Sequence, residues 1–389
     1  MKRNAHDPVE MIGRLIAFDT TSRESNLPLI DFVRDYLASH GVDSTLVHDE
    51  TGKKANLYAT IGPDDRPGIA LSGHTDVVPV DGQPWQTDPF RLVEKDGRLY
   101  GRGTADMKSF CAIALAMVPD FVARRLHTPV HLAFSFDEEV GCLGAPLVIE
   151  RLGAELGPKP KLVIVGEPTD MAVVNAHKGV VCLRTRVRGL EAHSSATHRG
   201  VNAVQHAARL IGFLADLAEE MATRAAPESR FDPPCTTIQV GTVHGGTAQN
   251  IVPLDCAFTW EYRLLPGADP HEIGQRFERF ANDVVLPDMR AIDPDTGIET
   301  ETICTVPGLQ PDRDSPAEPL AMALARTNRT EVVAFAAEAG QFQQAGIPAV
   351  ICGPGSIAQA HQPDEFIELS QVRACEAFMR RLLNEVSAD

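Results

Sequence analysis

The stretch Ile69-Ala70-Leu71-Ser72-Gly73-His74-Thr75-Asp76 is an apolar run that ends in His-x-Asp. A short apolar run closed by polar residues reads as a strand buried on both faces. Segments 56–61, 130–136, 161–165 and 348–352 repeat the pattern. Helical periodicity lies between and around them, over 9–18, 30–39, 104–125 and 370–386. The helix over 104–125 is expected to open on a Thr104 cap, with Asp106 in its first turn. Strands that alternate with helices predict the α/β class: a mostly parallel mixed sheet flanked by helices.

The pattern changes near Gly179. Segment 180–188, Val-Val-Cys-Leu-Arg-Thr-Arg-Val-Arg, alternates apolar and charged residues, as a strand with one wet face does. Segments 236–243 and 252–263 alternate again, and 203–222 and 270–286 have helical spacing. This β-α-β-β-α order predicts an inserted α+β open-faced sandwich. The expected organisation is a main domain over 1–179, an inserted domain over 180–292, and a return to the main domain over 293–389.

Composition narrows the function. The chain of 389 residues carries 53 acidic against 36 basic residues, a formal net charge of −17. Such a balance disfavours nucleic acid and anionic membranes, which need basic patches. No apolar run follows Lys2-Arg3, so no leader is expected, and no segment has transmembrane character. The eight cysteines lack CxxC spacing and mostly sit in apolar runs, as buried thiols of a reducing cytoplasm do.

The chemistry-bearing residues follow the apolar runs. His74 and Asp76 close one, Glu138 and Glu139 follow another, and Glu167 and His361 come after two more. Asp106 lies in Gly101-Arg102-Gly103-Thr104-Ala105-Asp106-Met107-Lys108. Each alone reads equally well as a capping or solvated polar residue. Together they supply imidazoles and hard carboxylates, a donor set that suits a divalent ion such as zinc. There are enough for two ions with one carboxylate left over, the arrangement of a metal-dependent hydrolase.

These residues, with Gly166-Glu167-Pro168-Thr169, Ala176-His177-Lys178-Gly179, 199–203, 353–357 and Gln359-Ala360-His361-Gln362-Pro363-Asp364-Glu365, resemble a known family. It is the dinuclear-zinc amidohydrolase family that includes glutamate carboxypeptidases, succinyl-diaminopimelate desuccinylases and acetylornithine deacetylases. The likeness covers nearly the whole chain and is strongest to the bacterial acetylornithine deacetylases. It implies two zinc ions per subunit, with cobalt or manganese as substitutes. One would be held by His74 and Glu167, the other by Glu139 and His361, and Asp106 would bridge them. Asp76 would orient His74, and Glu138 would be the general base. His193 on the inserted domain would stabilise the oxyanion, in its own or a partner subunit. Asn250 and Arg263 would contact substrate, and the backbone of Gly353 and Gly355 would hold its carboxylate. Glu338 is expected to read a side-chain ammonium. Ser109 departs from the glycine usual after Lys108 but removes no ligand.

The resemblance further implies hydrolysis of N-acetyl-L-ornithine, in arginine biosynthesis. The alternatives are another N-acyl amino acid, a desuccinylase substrate or a dipeptide. It also implies a homodimer formed through the inserted domain, which would act as a lid. The histidines at 6, 40, 48, 127, 131, 198, 206, 244 and 271 read mainly as core or surface residues, with His177 and His244 left open.

Overall fold

The computed structural model describes residues 7–225 and 227–388. His6 and most of the stretch in which no leader was expected lie outside these residues. The described chain divides into two compact units: 1–176 with 309–332 and 337–389, and 177–308 with 333–336.

The first unit is organised by an eight-stranded mixed sheet. Its order is Ser44–His48, Ala55–Ile61, Val130–Ser135, Ile69–His74, Leu162–Pro168, Ala349–Gly353, Val174–His177 and Glu331–Val333. Ile69–His74 runs parallel to both Val130–Ser135 and Leu162–Pro168, and Leu162–Pro168 runs parallel to Ala349–Gly353. These four strands are buried along their whole length, as their mainly apolar composition allows. The fold is therefore the expected α/β mixed sheet with a parallel centre.

The helix Lys108–Ala116 lies wholly buried beside this sheet. Its Phe110 ring occupies the space that a side chain at Gly166 would fill. It starts later than expected. Thr104 does not cap it; the hydroxyl instead donates to Gly101 O at 2.7 Å, within a turn that carries Asp106 ahead of the helix. The single helix expected over 104–125 is broken as well. A second short helix, Val118–Val122, restarts at Pro119, which has no N–H to continue the first ladder.

The second unit is a four-stranded antiparallel sheet in the order Thr237–Gly245, Asp255–Leu264, Gly179–Arg188, Gly297–Val306. The helices Ala203–Thr223 and Glu272–Phe280 bury its apolar face around Trp260, Phe258 and Phe277. The fourth strand pairs along Gly179–Arg188 and carries this unit to Gly308, past the boundary expected at residue 292. Ile298-Glu299-Thr300-Glu301-Thr302 has the alternation of a strand with one wet face, but few apolar residues to reveal it. Exposed Arg184 and Glu301 meet at 3.0 Å across this pairing.

Among the described residues no helix is long and apolar enough to cross a membrane. All eight cysteines are free.

Candidate metal centre

The four parallel strands all point their carboxyl ends to one rim of the sheet, where open α/β folds place their sites. Ile69–His74 ends on His74, Val130–Ser135 leads into Glu138 and Glu139, and Leu162–Pro168 contains Glu167. Ala349–Gly353 leads to the loop that carries His361. Asp106 arrives from the turn before Lys108–Ala116.

His74 Nε2 lies 3.0 Å from Asp106 Oδ1 and 3.9 Å from Glu167 Oε1. His361 Nε2 lies 3.0 Å from Glu139 Oε2 and 3.4 Å from Asp106 Oδ2. Asp106 therefore offers one oxygen to each imidazole. Ligand atoms of His74, Asp106 and Glu139 lie within 4.8 Å of one another, as do those of His74, Glu138 and Glu167. Zinc holds such ligands at about 2.0–2.2 Å, so small inward shifts would bring either group onto an ion, with His74 Nε2 serving one ion only.

The electrostatics fit cations. Burial pushes the Glu138 and Glu167 carboxyls well up, and neighbouring acids add to the effect. Glu139 is pushed up to about 7 by burial and by the charge of Asp106. Asp106 moves the other way, because hydrogen bonds from His361 and His74 outweigh its burial. His361 is pushed up to about 10 by its bonds to Asp106 and Glu139. Burial opposes the charged form of His74, but Asp106 and Asp76 outweigh it and raise this imidazole too. Glu167 Oε1 is buried without a hydrogen-bond partner among the described residues. Uncompensated buried carboxylate is costly unless paired with a metal or another charge. An orphaned oxygen inside a carboxylate–imidazole set is what a metal ligand looks like in the protein's own atoms. The residues present fit two divalent ions.

Asp76 does more than orient His74. His74 Nδ1 lies 2.9 Å from the Asp76 backbone oxygen but 3.6 Å from its carboxylate. That carboxylate instead accepts from Ser22 Oγ at 2.7 Å, Glu138 N at 3.1 Å and Glu139 N at 3.3 Å. It thus fixes the backbone from which both glutamates project, a role that His-x-Asp spacing does not reveal. The Glu138 side chain accepts from Cys142 Sγ at 3.2 Å.

Other expectations are modified by the structure. Glu338 is buried, and its carboxylate accepts from Ser72 Oγ at 3.1 Å and from Ser135 Oγ. These serines lie on adjacent central strands, so Glu338 braces the sheet from a buried position. Gly353 N donates to Thr169 Oγ1 at 3.2 Å, and Gly355 N donates to Gln371 Oε1 at 3.4 Å. A substrate carboxylate at these amides would have to exchange with Thr169 Oγ1 and Gln371 Oε1. A Cβ at Gly353 would strike the backbone of Gly166 and Glu167, so this glycine admits the chain that presents Glu167. Ser109 donates to Thr104 O at 2.6 Å and tightens the turn beside Asp106.

In the second unit, His193 precedes the short turn Ser194–Arg199, with Nδ1 2.7 Å from Ser195 Oγ. Ser194 N donates to Asn250 O at 3.0 Å, which brings the His193 and Asn250 segments together. Arg263 is held by Glu261 at 3.0 Å on its own strand. His177 is buried, with Nδ1 2.9 Å from Lys178 O, and burial holds it down to about 4.

Comparison with known proteins agrees with this geometry. Residues 70–385 match the model of peptidase family M20/M25/M40. A curated acetylornithine deacetylase from Myxococcus xanthus is 36% identical over 381 residues, covering 95% of each chain. Among solved structures, the fold matches an M20 family metallo-carboxypeptidase from Sulfolobus solfataricus with a TM-score of 0.76 at 18% identity, over 97% of this chain and 98% of that one. It also matches a Bacillus subtilis dinuclear metal-binding peptidase of the M20 family, with a TM-score of 0.64 at 16% identity and 98% coverage of both. The chain is a hydrolase that belongs to peptidase family M20/M25/M40.

Proposed function

We propose that this hydrolase cleaves the amide bond of N-acyl amino acids, with N-acetyl-L-ornithine as its substrate and L-ornithine and acetate as products. The observation that carries the reaction type is Glu138. It is a carboxylate whose proton affinity is raised by burial, set among the His74, Asp106, Glu139 and Glu167 groups and fixed through its backbone by Asp76. The substrate assignment rests on likeness to the Myxococcus xanthus deacetylase.

His74 and Glu167 would hold one zinc ion, Glu139 and His361 the other, and Asp106 would serve both. Bound divalent ions supply Lewis acidity to the scissile carbonyl and lower the pKa of a water. Glu138 takes the proton of the attacking water and delivers it to the departing nitrogen, so one carboxyl acts as base and then as acid. His193 donates to the oxygen of the tetrahedral carbon, in its own or a partner subunit. Arg263 and Asn250 contact the substrate's carboxylate end, and Arg263 would have to exchange Glu261 for it. The second unit serves as lid and dimer contact, and the enzyme works in the cytoplasm in arginine biosynthesis.

The test is a panel of substrates assayed with metal restored after chelation. N-acetyl-L-ornithine should give the highest kcat/KM. A higher value for N-succinyl-diaminopimelate, N-acetyl-L-methionine or a dipeptide would refute the assignment.

A further inference from the structure

The two ions' proposed ligand sets are built on supports of very different stiffness. His74 and Glu167 belong to central strands locked by pairing. His361 sits in a loop, at φ 63°, with its side chain 51% exposed. Something other than sheet register must hold it opposite Asp106.

A buried ion pair lies beside it. Arg102 and Glu365 meet at 2.6 Å with side chains each 1% exposed. Glu365 Oε1 accepts from Ala105 N at 2.8 Å and Asp106 N at 3.1 Å, so it grips the peptide that presents the bridging carboxylate. Arg102 Nη1 also donates to Gln362 O at 3.3 Å, and its Nη2 donates to Gln83 Oε1 at 2.6 Å. Gln83 Nε2 in turn donates to His361 O at 2.9 Å. One guanidinium thereby ties the Asp106 segment to both ends of the His361–Glu365 segment. Removing one member of such a desolvated pair leaves the other charge buried and uncompensated, so the pair holds its segments firmly.

We propose that Arg102, Glu365 and Gln83 form a clasp of positioning residues that sets the second metal position, that of Glu139 and His361, more than the His74–Glu167 position, which rests mainly on the sheet. The inference rests on the two-ion reading above. Partners that orient metal ligands are typically worth about 10–100-fold in metal affinity. The clasp should therefore govern one of the two binding steps.

The experiment is calorimetric titration of the metal-free full chain with Zn²⁺, and separately with Co²⁺ followed by its visible absorption. Wild type is compared with Glu365→Gln and Gln83→Ala. Gln83 is only half-buried, so its variant removes the arm to His361 without opening the core. Expected are two binding steps in wild type. In Gln83→Ala one step should be unchanged and the other lowered about 10–100-fold; Glu365→Gln, which also frees the amide of the shared Asp106, should lower that same step more than the other. Both steps unchanged would overturn the clasp and leave the two-ion reading standing. Equal weakening of both steps, together with a lowered Tm, would overturn it in favour of a merely structural pair. A single step in wild type would refute the two-ion reading itself, and the clasp with it.

Discussion

Glu138 has two geometric options, and one variant separates them. It lies within ligand distance of His74 and Glu167, yet the proposed chemistry needs it free to carry a proton. Glu138→Gln keeps the shape of the side chain and removes the basic oxygen. The Glu138 and Glu139 backbone stays pinned, because Asp76 holds it through the two amide groups and not through the side chain. The amide oxygen can still accept from Cys142 Sγ, now at 3.2 Å. Loss of a general base costs about 10²–10⁴-fold in rate, which is about 2.7–5.4 kcal/mol of barrier. The assay is kcat and kcat/KM for N-acetyl-L-ornithine across pH, with metal content measured by elemental analysis. A base shows as a fall in kcat with two ions retained and with the acid limb of the kcat/KM profile abolished. Retention of more than a tenth of wild-type kcat refutes the base. Loss of an ion makes Glu138 a ligand and refutes the assignment of Glu167, Glu139 and His361 as sufficient.

Metal removal should lower Tm reversibly, because ions that bind only the folded chain stabilise it. At a free concentration 100-fold above Kd the gain is about 2.7 kcal/mol, and a Tm unchanged by chelation would count against the centre. His131 is held down to about 4 by burial, with Nε2 lacking a hydrogen-bond partner among the described residues. The unfolded chain takes up this proton near pH 6.5 and the folded chain does not. Stability is therefore complete above that pH and falls by about 3 kcal/mol towards pH 4. His131→Phe, which keeps a ring against Tyr58, should flatten this part of the urea-midpoint profile. Glu338→Gln should lower stability by about 1–3 kcal/mol through Ser72 and Ser135 while leaving the preference for ornithine over uncharged side chains intact; a selective loss for ornithine would restore Glu338 as an ammonium reader. In the second unit, buried Trp260 donates to Thr185 Oγ1 at 3.0 Å and packs on Phe277. Trp260→Ala should cost about 3–5 kcal/mol in chemical denaturation.

Local composition was enough for the parallel centre of the sheet and for the residues at its rim. Strands buried on both faces are mainly apolar, so an imidazole or acid that closes such a run stands out. That logic reached His74, Glu138, Glu139, Glu167 and His361. It could not assign Asp76, whose carboxylate serves the backbone 62 residues further on. Nor could it assign Glu338, since nothing near it in the chain announces Ser72, 266 positions away. The strand Gly297–Val306 escaped because its polar alternation acquires a buried face only when it lies along Gly179–Arg188. Arg102 and Glu365 were conspicuous as motif residues, but their pairing spans 263 positions. Residue type and local periodicity therefore determined which groups are available and on which kind of element they sit. Which group serves which partner was decided by tertiary structure, because hydrogen bonds and ion pairs depend on distances of about 3 Å that only the folded chain brings about.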